Sequence, residues 1–260
     1  MHLNFFKYQG TGNDFIILDN RTQSIQLTQP QIATLCNRKF GIGADGLMLL
    51  QNKNKYDFEM IYYNADGNLG SMCGNGGRCL VQFANDCGIK KLTYHFIATD
   101  GEHQAKINEN NHWVELKMND VLQVHQVNED VELDTGSPHY IRACFDVMNK
   151  DIITEAKKIR YNNIYTEKGI NVNFVEQTKP DTIVVRTYER GVEDETLSCG
   201  TGVTASALVF AHNQNGFNHI DVITKGGKLA VEFIKISDSH FKDIWLSGAA
   251  TFVYKGEITI

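Results

Sequence analysis

Residues 72–86 read MCGNGGRCLVQFAND, and residues 198–213 read SCGTGVTASALVFAHN. Each passage sets a cysteine directly before a glycine-rich turn and a mostly apolar run. After Cys73 the apolar positions 79, 80, 83, 84 and 87 keep helical spacing. After Cys199 the segment 205–211 is apolar nearly all round, which predicts a helix enclosed by sheet on most sides. The likeness continues downstream. Thr99 of ATDG follows Cys73 by 26 residues, and Thr224 of ITKG follows Cys199 by 25. Each cysteine thus leads a helix, a strand ending in Thr-x-Gly and a second strand. Upstream, Asn13 in GTGNDF parallels Asn171 in KGINVNF. Gly-rich turns resemble one another, but internal duplication explains the whole series better: two similar α/β halves of roughly 120 residues. A crevice between such halves is a common ligand site.

The rest of the chain fits that frame. DFIILD (14–19), GLMLLQ (46–51), DFEMIYY (57–63), HWVELKM (112–118), TIVVRTY (182–188), HIDVIT (219–224), LAVEFIK (229–235) and ATFVYKG (250–256) read as strands. Thr28, Pro30 and Gln31 form a capping-box pattern opening a helix to about residue 37. A further helix is expected over 147–160, and KGGK (225–228) as a hairpin turn. The polar stretch NDVLQVHQVNED (119–130) is the best boundary. The N-terminal half, 1–119, is expected to be completed by a final strand at 249–260, with 120–248 as the C-terminal half.

The 260 residues carry a net charge of −6 without charged blocks, and the lysines and arginines are scattered, so no nucleic-acid partner is expected. No signal peptide or membrane-length apolar run is visible, and a cytoplasmic protein is expected. The six cysteines then read as thiols rather than a disulfide framework, and no paired CxxC spacing suggests zinc. GIGADG (41–46) fits the dinucleotide pattern literally. However, a polar CNRK precedes it and strand-like LMLL follows it, the reverse of what nucleotide binding needs.

A helix N-terminus carries N–H groups without helical acceptors and a partial positive charge. Both stabilise a thiolate and cradle a carboxylate, and glycines allow close approach. A lone Cys-Gly pair fits a small buried residue equally well. The repetition points instead to chemistry. Inverting a stereocentre that bears a proton requires a base on one face and an acid on the other, and two thiols supply both. Donors around the adjacent carboxylate stabilise the charge that develops as the Cα–H bond breaks. Cys36, Cys79, Cys87 and Cys144 read as structural.

GTGNDF (10–15), GIGADG (41–46), YNADG (63–67), MCGNGGRC (72–79), GSPH (136–139), INVNF (170–174) and YERGVEDETLSCGTG (188–202) together closely resemble the diaminopimelate epimerase family, in its order and over nearly the whole chain. The resemblance implies an α/β fold of the α+β type: two pseudo-symmetric domains, each a curved, largely antiparallel sheet around a central helix. It implies an isomerase that epimerises LL-2,6-diaminopimelate to the meso form without a cofactor or metal, for lysine and peptidoglycan precursors. Carried over position by position, Cys73 and Cys199 match the catalytic thiols, and His139 and Glu189 match neighbouring acid/base or orienting groups. Gly74, Asn75, Gly200 and Thr201 match the amides that hold the reacting carboxylate. Asn13 and Glu189 fall near the reacting amino group, while Asn64, Asn171 and Arg190 match the distal-end set. Diaminopimelate is the implied partner, a homodimer is compatible, and no membrane partner is implied.

Two positions depart from the pattern: Ser137 stands where many members have asparagine, and Gly46 where some have glutamine. Without the resemblance, His139 reads equally as a surface loop residue, Asn64 as a turn former and Arg190 as the partner of a carboxylate in VEDE (192–195). The rival functions are a proline or hydroxyproline racemase of the same fold, a cysteine hydrolase pairing a thiol with His139, and a silent binding protein.

Overall fold

The computed structural model describes residues 1–108, 111, 113–212 and 214–260. The chain divides into two compact units: Met1–Leu116 with Gly248–Ile260, and Lys117–Ser247.

In the first unit the order is β1 (His2–Gly10), β2 (Asn13–Asp19), α1 (Gln29–Cys36), β3 (Gly46–Gln51), β4 (Glu59–Asn64), α2 (Gly74–Asp86), β5 (Thr93–Ala98), β6 (Gly101–Ile107) and β7 (Val114–Lys117). His112, the first residue of the expected 112–118 strand, lies outside the described residues. Strands β1–β2, β3–β4, β5–β6 and β6–β7 pair antiparallel, whereas β2–β3 and β4–β5 are parallel across their helical connections. The chain's last strand, β17 (Thr251–Thr259), runs antiparallel along β1.

The second unit holds β8 (Val124–Val127), β9 (Asp130–Asp134), β10 (Pro138–Ala143), a 3₁₀ turn (Val147–Asn149), α3 (Ile152–Arg160), β11 (Asn171–Lys179), β12 (Thr182–Glu189), β13 (Asp194–Thr196), α4 (Gly200–Val209), β14 (Gly216–Thr224), β15 (Gly227–Ser237) and β16 (His240–Gly248). Its pairing repeats the first: β9–β10 antiparallel, β10–β11 parallel, β11–β12 antiparallel, β12–β14 parallel, β14–β15 antiparallel. Thus β1–β4 correspond to β9–β12, and α2 to α4.

Each central helix packs against strands of its own sheet, α2 on β1, β2, β3 and β6, and α4 on β10, β11, β12 and β15. The opposite face is covered by the shorter helix. In the first unit Ile32, Leu35 and Cys36 of α1 join Ile16, Leu18, Leu47 and Leu49. In the second, Ile152, Ala156 and Ile159 of α3 join Val172, Phe174 and Tyr188. Strands covered on both faces should be apolar without alternation, and β2 and β3 are buried through Phe15–Leu18 and Gly46–Leu50. α4 is buried at Gly200 and from Gly202 to Leu208, as an all-round apolar helix requires.

Two expectations need correction, and the stretch expected to hold the boundary contains a strand. The helix expected over 147–160 is split: Asp146 is left-handed (φ 53°), a 3₁₀ turn follows, and the Asp151 carboxylate caps α3 by accepting from Thr154 N at 3.2 Å. The polar stretch 119–130 holds β8, which pairs antiparallel with β9 as a hairpin. The parallel drawn between Asn13 and Asn171 also fails. Phe15 of β2 pairs with Gly46 of β3, and His139 of β10 pairs with Asn171 of β11. The counterpart of Asn171 is therefore Gly46, and that of Asn13 is Ser137.

Candidate active site

In the first unit Cys73 is the N-cap residue of α2, in extended conformation, and its Sγ accepts from Gly76 N at 3.3 Å. Extended backbone at the N-cap is what turns the side chain back over the first helical turn. Cys73 is half-buried, whereas Gly74 and Asn75 are buried. Asn13, opening β2, brings its Oδ1 to 3.6 Å from Cys73 Sγ and 3.5 Å from Asn75 Nδ2. The other end of its amide donates to Asp45 Oδ2 at 2.6 Å. Asn75 Oδ1 accepts from Arg78 Nη2 at 3.0 Å and from Thr11 Oγ1 at 3.4 Å. Asn13, Cys73 and Asn75 are thus brought together. Asn64, at the exposed end of β4, stands in a turn where its carbonyl accepts from Gly67 N at 2.9 Å.

In the second unit Cys199 is likewise the extended N-cap residue of α4, and its Sγ lies 3.5 Å from Thr201 Oγ1. Thr201 O accepts from Thr135 Oγ1 at 2.8 Å, tying the turn after β9 to the start of the helix. His139 is no surface loop residue: it lies in β10 and is fully buried. Asn173 Nδ2 donates to His139 Nδ1 at 3.1 Å and to Tyr140 O at 3.2 Å, while its Oδ1 accepts from Thr187 Oγ1 at 2.8 Å. The Tyr140 carbonyl can only accept, so Nδ2 faces the ring and His139 carries its proton on Nε2. Burial, with Arg190 adding to it, pushes the His139 pKa down to about 3. It is a neutral ring, suited to orienting rather than to holding positive charge.

Asn171, Ser137 and Arg190 form a second cluster in this unit. Asn171 Nδ2 donates to Ser137 Oγ at 2.9 Å and to Pro138 O at 3.1 Å, and its Oδ1 accepts from Arg190 N at 2.8 Å. The exposed Arg190 guanidinium reaches Lys168 O at 3.0 Å and Ser137 Oγ at 3.4 Å. Among the described residues no carboxylate of VEDE pairs with Arg190: Glu193 accepts from Arg160 at 2.8 Å and Glu195 from Arg186 at 2.6 Å. Glu189 ends β12, as Asn64 ends β4.

Four residues of these networks carry no signal of their own in the sequence: Asp45, Arg78, Asn173 and Thr187. Asp45 sits in the GIGADG stretch, which leads into β3 after a helix, the reverse of the nucleotide-binding order. Of the remaining cysteines, Cys87 and Cys144 are half-buried. Cys36 and Cys79 are buried, and burial pushes their thiols up to about 11 and about 12.

Two units of one topology, each with strands around a central helix, define a known fold. A phenazine biosynthesis protein of the PhzF family from Bacillus anthracis shares it with a TM-score of 0.74 at 16% identity, both chains being covered in full. Sequence then narrows the fold to a family. The family model for diaminopimelate epimerase matches residues 5–124 and 131–253. A diaminopimelate epimerase of Flavobacterium psychrophilum is 50% identical over 98% of this chain and 100% of its own length, and one of Chlorobaculum tepidum is 43% identical over 96% and 99%. The chain belongs to the diaminopimelate epimerase family, amino-acid epimerases and hence isomerases. No helix among the described residues is long and apolar enough to cross a membrane.

Proposed function

We propose that this protein epimerises LL-2,6-diaminopimelate to meso-diaminopimelate without a cofactor, supplying lysine and peptidoglycan precursors, with Cys73 and Cys199 as the two acid/base groups. One observation carries the reading: both cysteines cap the central helix of their own unit, at equivalent places in a repeated topology. Two-base inversion needs one group on each face of Cα, one ionised and one protonated. A thiolate removes the proton, a carbanion stabilised by the neighbouring carboxylate forms, and the opposite thiol delivers a proton to the other face. The first-turn amides of Gly74, Asn75, Gly200 and Thr201 have no acceptors within their helices and suit the carboxylate. Asn13 and Glu189 are assigned to the reacting amino group, His139 to orientation, and Asn64, Asn171 and Arg190 to the distal end. A bidentate guanidinium there selects a second carboxylate.

Cys73 and Cys199 are each replaced by alanine, and meso-diaminopimelate formation and exchange of the Cα proton with deuterated solvent are followed. Both variants lose epimerisation. Full activity in either one removes the two-base scheme, and turnover of proline with neglect of diaminopimelate gives the site to the racemase reading.

A further inference from the structure

Arg78 is the largest fully buried side chain among the described residues, with no exposed surface. It lies in α2, five residues after Cys73, and its guanidinium folds back along the first turn. Nη1 donates to Gly74 O at 3.4 Å, and Nη2 to Asn75 Oδ1 at 3.0 Å and Thr11 Oγ1 at 3.2 Å. All three acceptors are neutral. Nε has no hydrogen-bond partner among the described residues, and no carboxylate among them forms an ion pair with Arg78. Burial lowers its pKa from the ordinary value, yet a guanidinium stays protonated in a protein.

A buried cation without a counter-ion is costly, and this one stands where the helix dipole is already positive. The same placement strongly favours an anion at the head of the helix. The ionisable groups that act on Arg78 are the thiols of Cys79 and Cys73. Burial keeps Cys79 protonated, with a pKa of about 12, so Cys73 is the group able to supply the charge. The charged groups facing this end of α2 from the surrounding strands work the other way. Asp45, held by Arg38 at 2.7 Å, reaches the thiol only through Asn13, and Asp100, paired with His103 at 3.2 Å, accepts from Met72 N. Tyr8 and Asp86 pair at the far end of the helix.

Among the described residues of the second unit, no cation stands at the equivalent place. Thr204, five residues after Cys199, occupies the equivalent place, is equally buried, and donates to Gly200 O at 3.0 Å. We propose that Arg78 is a positioning and electrostatic residue that makes Cys73 the resting thiolate, with Cys199, opposite a neutral threonine, as the resting thiol. The proposal rests on the two-base reading but does not need it for its test.

Peptide-resolved alkylation of the whole protein by iodoacetamide across pH gives a midpoint for each cysteine, independent of how accessible each sulfur is. The Cys73 midpoint lies at least one pH unit below that of Cys199. Arg78→Met raises the Cys73 midpoint, slowing its alkylation at pH 7 about tenfold, and leaves Cys199 where it was; Arg78→Lys restores most of the shift. Equal midpoints in the parent protein overturn the proposal even if Arg78→Met does not fold. So does a folded Arg78→Met protein, checked by circular dichroism, with an unmoved Cys73 midpoint. Unequal midpoints in a protein that ignores diaminopimelate keep this inference and remove the proposed substrate.

Discussion

The Asp45 carboxylate accepts a 2.6 Å hydrogen bond from Asn13 Nδ2, and this contact decides which way the asparagine amide faces. An ionised carboxylate can only accept, so Nδ2 must point to it, and Oδ1 is left 3.6 Å from Cys73 Sγ. Asp45 is held in turn by Arg38 at 2.7 Å. Asp45→Ala frees the amide to rotate and present an N–H to the sulfur. Misplacement of this kind costs about 10²-fold in kcat/KM, and Asp45→Asn, which keeps an acceptor, recovers part of the loss. Steady-state kinetics of the two variants check this; an unchanged kcat/KM for Asp45→Ala denies the orienting role.

His139 gives a pH dependence of stability. Its pKa is about 3 in the fold and about 6.5 in an unfolded chain, so between those values the unfolded state binds the additional proton. Stability is therefore fully present above pH 6.5 and declines as pH falls toward 3, by at most about 1.4 kcal/mol per unit from this group. Most carboxylates titrate below pH 5, so the window from 7 to 5 belongs to the histidines, and a variant at position 139 separates its share from that of others such as His219, whose pKa is raised. His139→Gln, able to accept from Asn173, shows a smaller loss of urea stability between pH 7 and 5 than the parent protein. An identical loss in both shows that the buried ring is not responsible.

The repeat was legible because it is written in residues whose chemistry is local. A cysteine that caps a helix must be followed by small residues and then an apolar face, and both passages obey this. The strand β11 was less visible, since its INVNF segment carries two asparagines on one face, Asn173 satisfied by the buried His139 and Thr187 and Asn171 by Ser137 and Pro138. Arg78 was invisible for a related reason. A lone arginine in an apolar helix reads as a chain reaching solvent, and only the fold shows it enclosed. The break in the 147–160 helix was hidden too, because the apolar positions 148, 152, 153, 156 and 159 run on across Lys150 and Asp151 while the helical backbone does not.

The equivalence of the two units predicts unequal responses to one substitution. A Cβ on Gly76 would meet Met48 Sδ at 3.3 Å and Phe15 Cζ at 3.4 Å, whereas on Gly202 it would meet Asn173 Oδ1 at 2.4 Å and His139 Cε1 at 3.3 Å. Met48 ends in a flexible thioether that can give way. Asn173 is held at both ends of its amide and cannot move without breaking a buried hydrogen bond. Gly202→Ala lowers stability by about 1–3 kcal/mol, while Gly76→Ala stays within about 1 kcal/mol of the parent because alanine also favours the helix. Chemical denaturation of both variants decides it, and equal losses deny the asymmetry.

Ser137 takes the place that Asn13 holds in the other unit, and its hydroxyl is the meeting point of Asn171 Nδ2 at 2.9 Å and Arg190 Nη2 at 3.4 Å. The serine thus anchors the two residues assigned to the distal end of the substrate rather than contacting the reacting end. An exposed guanidinium with one carbonyl and one hydroxyl as partners keeps donors free for a bidentate carboxylate. Removing the charge leaves the chemistry at the thiols in place. Arg190→Gln therefore raises KM for diaminopimelate at least tenfold with a smaller change in kcat, and Ser137→Ala moves KM in the same direction by less. Arg190→Lys stays impaired, because a point charge does not replace the planar fork. A loss confined to kcat in Arg190→Gln would place the arginine at the reacting carbon and reverse the assignment of the two ends.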